Sequence, residues 1–177
     1  MNASSGQLAA LDGLRVAPEA AADSYDRDLF GGGWIDADGD GCDTRCEVLE
    51  AERIALPGGG SGWLSLYDSY STDDPSELDV DHMVPLAEAW RSGASSWDPK
   101  RRIAYANDLA APTSLIAVTA ATNRAKSDRD PARWQPSSLD AWCSYTDAWI
   151  GTKQRWGLTA DAAEVKAIHN MIVARRC

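Results

Sequence analysis

Apolar positions recur along this chain with two different periods, and the switches between them mark its elements. Leu8, Leu11 and Leu14 repeat every three residues before Gly13, Pro18 and an alanine run leave little to pack, which predicts a short helix on a peripheral arm over residues 1–24. Residues 34–49 are acidic and turn-rich, and Val48 to Ile54 predicts a helix stopped by Pro57 and the glycines at 58–60. Leu78, Val80 and then His82 to Val84 fit a strand entering a turn at Pro85, with Leu115 to Thr119 as the next strand. Helices over Leu86–Trp90 and Lys100–Asn107 fill the gap, so the two strands form a hairpin carrying a helical insertion. Leu139, Trp142, Cys143, Trp149 and Ile150 mark the apolar face of one late helix, and Val165, Ile168 and Ile172 mark another after a Thr159 cap.

These elements predict a single α+β domain over residues 25–177 behind the arm, and a chain of 177 residues is long enough to bury one sizeable core. Its eight tryptophans fall at helical spacing, which favours packing over base stacking. No apolar run approaches the roughly 18 residues that span a bilayer, so no membrane partner is expected; the chain is expected to be monomeric.

Charge changes the picture. The formal net charge of -10 excludes a protein that coats nucleic acid through bulk electrostatics. Residues 1–90, however, carry 4 Lys and Arg against 19 Asp and Glu, whereas residues 91–177 carry 13 against 8, so a phosphate partner is expected to meet the second half. Cys42, Cys46, Cys143 and Cys177 are an even set without paired CxxC spacing, and disulfides are the expectation over reduced thiols. Three pairings are open; Cys42–Cys46 would close a small loop and Cys143–Cys177 would staple the chain end to an earlier helix. Oxidation implies an extracellular protein whose secretory leader has been removed.

The chemistry-bearing segments are Asp81-His82-Met83-Val84-Pro85-Leu86 and, beginning 41 residues after Asp81, Thr122-Asn123-Arg124-Ala125-Lys126-Ser127-Asp128. An unperturbed imidazole titrates close to pH 6.5, which suits His82 to deprotonate water. Asp81 and Asn123 offer oxygens to a hard divalent ion. Neighbouring strand residues point to opposite faces, so Asp81 and His82 can share a site only where the strand ends. Lys126 lies three residues beyond Asn123 on the same helical face, in reach of a phosphate oxygen; Arg124 and Arg129 are further candidates.

A DH pair at a strand end, an apolar hairpin partner and an N-x-x-K on the following helix resemble the ββα-metal core of HNH nucleases, in the variant with Asp and Asn ligands found in RNA-guided CRISPR nucleases. The resemblance implies an endonuclease that hydrolyses DNA with little sequence preference, RNA being a further candidate. His82 would be the general base, with magnesium first among candidate ions, then manganese or zinc, on Asp81 and Asn123. It also implies that Asn107, in Tyr105-Ala106-Asn107-Asp108-Leu109, braces the hairpin. His169, the other histidine, is read as a surface or packing residue rather than a ligand.

The stretches Gly41-Cys42-Asp43-Thr44-Arg45-Cys46-Glu47-Val48-Leu49 and Pro85-Leu86-Ala87-Glu88-Ala89-Trp90 further resemble a secreted bacterial branch of the family, related to the C-terminal nuclease domain of GmrSD-type enzymes. In that branch the CDTR segment implies that Arg45 reaches the scissile phosphate. Cys46 departs from the branch's pattern, which points Cys42 to its local neighbour. Independently, Asp36, Asp38, Asp40, Gly41 and Glu47 match positions 1, 3, 5, 6 and 12 of an EF-hand calcium loop, although glycines replace the incoming helix. The competing readings are a catalytically inert, calcium-stabilised extracellular binding module on an HNH scaffold, and an intracellular restriction- or phage-type HNH subunit.

Overall fold

A computed structural model describes residues 3–56 and 58–177; Pro57, expected to stop a helix, and the first two residues lie outside it. The centre is an antiparallel hairpin of β4 (Leu78–His82) and β5 (Leu115–Thr119), in which Leu78 faces Thr119, Asp81 faces Ile116 and His82 faces Leu115. The pairing runs on through the Met83 amide, which donates to the Ser114 carbonyl at 2.9 Å. Between these strands come α3 (Leu86–Arg91) and α4 (Pro99–Ala106), the predicted insertion, and α5 (Ala120–Lys126) follows β5 directly. A hairpin and helix embedded in further helices is therefore the observed α+β architecture.

The hairpin packs on both faces. Leu78, Val80, Leu115 and Ala117 meet Val48, Leu49 and Trp63 in a small core under α2 (Thr44–Ala51). This helix starts earlier than the apolar pattern suggested, because Asp43 accepts from the Cys46 amide and caps it. A larger core gathers Tyr67, Met83, Trp90, Tyr105, Trp149, Ile168 and Ile172 among α3, α4, α6 (Trp142–Trp156) and α7 (Ala162–Arg175). All eight tryptophans are buried or half-buried, as their spacing predicted.

Three local findings depart from the pattern. The N-terminal helix α1 (Ala3–Asp12) is packed rather than peripheral: Leu11 and Leu14 are buried in the large core, and Gln154 Nε2 donates to the Ala10 carbonyl at 2.8 Å. Asp161, not Thr159, caps α7 through a reciprocal capping box with Glu164; the Thr159 hydroxyl donates to the Ser92 carbonyl instead. Finally, a small meander of β1 (Ile54–Ala55), β2 (Ser61–Leu64) and β3 (Ser71–Thr72) occupies a stretch with poor alternation. Gly58, Gly59 and Gly60, all at positive φ, make its first turn, and a Cβ on Gly62 would stand 2.2 Å from the Thr72 carbonyl oxygen.

The outer edge of β5 is closed by side chains: Glu52 accepts from the Ala117 amide at 2.9 Å and Ser65 from the Thr119 amide at 3.1 Å. Two disulfides form with the expected partners. Cys42–Cys46 joins the acidic loop to the first turn of α2, and Cys143–Cys177 ties the start of α6 to the chain end. Among the described residues no helix is long and apolar enough to cross a membrane.

Candidate active site

Alternation along β4 sorts its polar residues. Asp79 and Asp81 face α5, where Asn123 Nδ2 donates to Asp79 at 3.1 Å and Lys126 Nζ donates to Asp81 Oδ2 at 2.6 Å. His82 turns the other way, yet the strand ends there, so Asp81, His82 and Asn123 line one cleft of about 470 Å³. Arg27, Arg124 and Asp128 complete its polar wall.

The His82 ring is held firmly. It lies 5.1 Å from Trp34 and 6.3 Å from Tyr105, near-parallel to both, and Nε2 sits 2.9 Å from the Ala106 carbonyl oxygen. A carbonyl only accepts, so Nε2 carries the proton and the Nδ1 lone pair is left free. Burial pushes the imidazole pKa down to about 4, against the Ala106 bond, which favours the protonated ring. Asn107, beside Ala106, accepts from the Ile35 amide and donates to the Ile103 carbonyl, both at 3.1 Å. It thereby fastens the Trp34–Ile35 segment to the end of α4.

Asp81 and Asn123 suit a divalent ion by their free oxygens. Asp81 Oδ2 is taken by Lys126 and by the Tyr67 hydroxyl at 2.6 Å, while Oδ1 has no hydrogen bond among the described residues. The Asn123 amide nitrogen is turned to Asp79, and its oxygen makes no hydrogen bond among the described residues. Two hard oxygens at an open polar cleft are of the kind that a divalent ion takes.

Other expected residues stand elsewhere. Lys126 is fully buried, and its ammonium also donates to the His82 carbonyl at 2.9 Å, so the expected phosphate contact is replaced by a clip between α5 and the end of β4. Burial pushes Lys126 down and Asp81 up, and their ion pair opposes both shifts. Arg45 donates to the Pro75 and Leu78 carbonyls at 3.2 and 3.1 Å, at the far end of β4, so it does not reach the cleft. Arg124 does line the cleft, whereas Arg129, beyond the end of α5, donates back to the Ala125 carbonyl in that helix. His169 is exposed on α7.

In the acidic loop the carboxylates of Asp36, Asp38 and Asp40 converge to within 4.8 Å. The Gly41 and Gly39 amides bind Asp36 and hold its pKa below the usual carboxylate range. Glu47 is outside this cluster, held on α2, which begins at Thr44 behind the Cys42–Cys46 bridge.

Sequence reasoning missed Asp79, Tyr67, Trp34 and Arg27. The strand period of two would have found Asp79 beside Asp81. The other three reach the cleft or its back wall through contacts that no local pattern announces.

Comparison with known proteins identifies the family. The profile of the GmrSD restriction endonucleases' C-terminal domain matches residues 62–171, a stretch holding β4, β5, α5 and every residue of the Asp81–His82–Asn123 cluster. An uncharacterized secreted protein of Arthroderma benhamiae is 40% identical over 168 residues, covering 92% of this chain and 81% of the relative. That relative is fungal, so the resemblance is not confined to a bacterial branch. No solved structure matches. With the profile covering more than half of its length, the chain belongs to the family of GmrSD restriction endonuclease C-terminal domains.

Proposed function

We propose that this chain is a secreted, metal-dependent endonuclease that hydrolyses DNA phosphodiester bonds with little sequence preference. The observation that carries the reading is the meeting of Asp81, His82 and Asn123 in one cleft with His82 Nδ1 free. Secretion is supported by the two disulfides and by the secreted relative.

His82 takes a proton from water at Nδ1 as the water oxygen forms its bond to phosphorus. The bond from phosphorus to the 3' oxygen breaks, and that oxygen takes a proton from solvent, leaving a 5' phosphate and a 3' hydroxyl. The Ala106 carbonyl fixes the ring's tautomer, and Trp34 and Tyr105 fix its plane. With its pKa near 4 the ring is unprotonated throughout the neutral range and into mild acid. A divalent ion held by Asp81 and Asn123, magnesium first and manganese or zinc as alternatives, would supply the positive charge that the phosphate and the departing oxygen require. Asp79 and Lys126 keep those two ligands oriented.

Cleavage of supercoiled plasmid after EDTA treatment, with magnesium, manganese, calcium or zinc restored, beside His82→Ala, tests this. Metal-restored cleavage lost by at least a hundredfold in the variant is expected, on the order of what a general base contributes. Equal cleavage by the variant would remove His82 as the base, and no cleavage with any metal would favour a binding module on the same scaffold.

A further inference from the structure

With Lys126 and Arg45 committed elsewhere, the cleft's cationic side chains are Arg27 and Arg124. Among the described residues, neither makes a hydrogen bond or an ion pair, although the chain carries ten more acidic than basic charges. Unpaired guanidinium groups beside a candidate water-activating base call for an anionic partner.

Of these two arginines, Arg27 lines both cavities that His82 borders. It lines the main cleft with Asp81, His82 and Asn123, and also a cavity of about 40 Å³ shared with Gly32, Gly33, Trp34, His82 and Ala106. Arg124 sits next to Asn123 and lines the cleft alone. The backbone under Arg27 is tied to its surroundings. Arg27 opens a 3-10 turn, Arg27–Phe30, capped by Asp26, whose carboxylate accepts from the Asp28 amide at 2.9 Å. Phe30 is buried, Arg102 Nε donates to the Leu29 carbonyl at 3.0 Å, and Gly31 closes the turn at φ +101°. There a Cβ would stand 3.0 Å from Ile103 Cγ1, so turn and α4 are pressed together.

We propose that Arg27 binds the scissile phosphate, placing its planar fork on that group's non-bridging oxygens next to the His82 nitrogen that takes the proton. This rests on the nuclease reading above. The residue lies in the acidic half of the chain, 54 positions before Asp81, and reaches the site by folding alone.

Arg27→Ala and Arg27→Lys, in wild-type and His82→Ala backgrounds, test the assignment after circular dichroism confirms wild-type folding. On a duplex oligonucleotide with magnesium, Arg27→Ala is expected to lower kcat about a hundredfold, as loss of one transition-state donor does. Arg27→Lys is expected to fall between, keeping charge without the fork. In the His82→Ala background, the slope of log Kd against log salt is expected to shrink by about 0.9 when Arg27 becomes Ala, the share of one phosphate contact. A kcat within threefold of wild type, or an unchanged slope, overturns the proposal. If wild type cleaves nothing with any metal, the nuclease reading falls, and the slope alone decides for Arg27 as a phosphate contact.

Discussion

Two fully buried lysines stand near the same ring: Lys126 Nζ lies 6.0 Å and Lys153 Nζ 5.7 Å from the centroid of Trp149. Lys126 meets one carboxylate, Asp81 at 2.6 Å, with its other bond to the His82 carbonyl. Lys153 meets two, Glu88 at 2.9 Å and Glu164 at 2.7 Å, together with Ser92 and the Thr159 carbonyl. A one-to-one pair can keep both charges, whereas two acids around one ammonium leave a surplus in a medium that resists it. Burial pushes Glu164 up to about 7, Glu88 adds to the rise, and Lys153 opposes it. The first arrangement sets one carboxylate against one ammonium at the edge of the cleft; the second can store a proton in the core.

The strongest way to break the comparison is Lys126→Met, which leaves Asp81 buried without its counter-charge. A loss of about 3–5 kcal/mol is expected, on the order of 10 °C in Tm for a chain of this size, together with loss of cleavage. A thermal melt within two degrees of wild type, on the order of the shift from half a kcal/mol, would show that the pair is not what holds the end of β4. Lys153→Met should destabilise nearly as much at pH 8 but roughly half as much at pH 5, where Glu164 carries its own proton. Its folded form should cleave at a rate within about threefold of wild type, because Lys153 lies behind the site. The smallest effect belongs to Glu164→Gln. An acid whose folded pKa exceeds its usual 4.5 contributes stability that is complete below that value and lost as pH rises through about 7. Wild-type Tm is therefore expected to fall by a few degrees between pH 5 and 8, a scale of roughly 1–2 kcal/mol, and the substitution to flatten that slope; an undiminished slope would place the proton elsewhere, Glu52 first.

How legible this was depended on the range over which each interaction acts. The hairpin strands and the insertion followed from local periodicity, and β5 was expected over the residues it occupies. The conflict between Asp81 and His82 on adjacent strand positions resolved as geometry demanded, at the strand's last residue. Lys126 misled because helical spacing reports which face a residue occupies and not what covers that face; Tyr67 and Trp149 cover it from 59 residues before and 23 after. Arg45 was assigned by likeness to a branch, and its fork is spent on backbone carbonyls. Asp79 needed only the strand period, while Trp34 and Arg27 required knowledge of how residues 25–35 fold back on the hairpin.

The side-chain seal on β5 has a consequence for the protein's life outside cells. A two-stranded sheet offers its outer strand as a template on which a foreign strand can grow, and growth of that kind leads to fibrils or to sticky dimers. Glu52 and Ser65 occupy the Ala117 and Thr119 amides that such a newcomer would need. The strand opposite Asp81 and His82 is thereby withdrawn from polymerisation, and a secreted chain can reach high local concentration while its hairpin stays solitary.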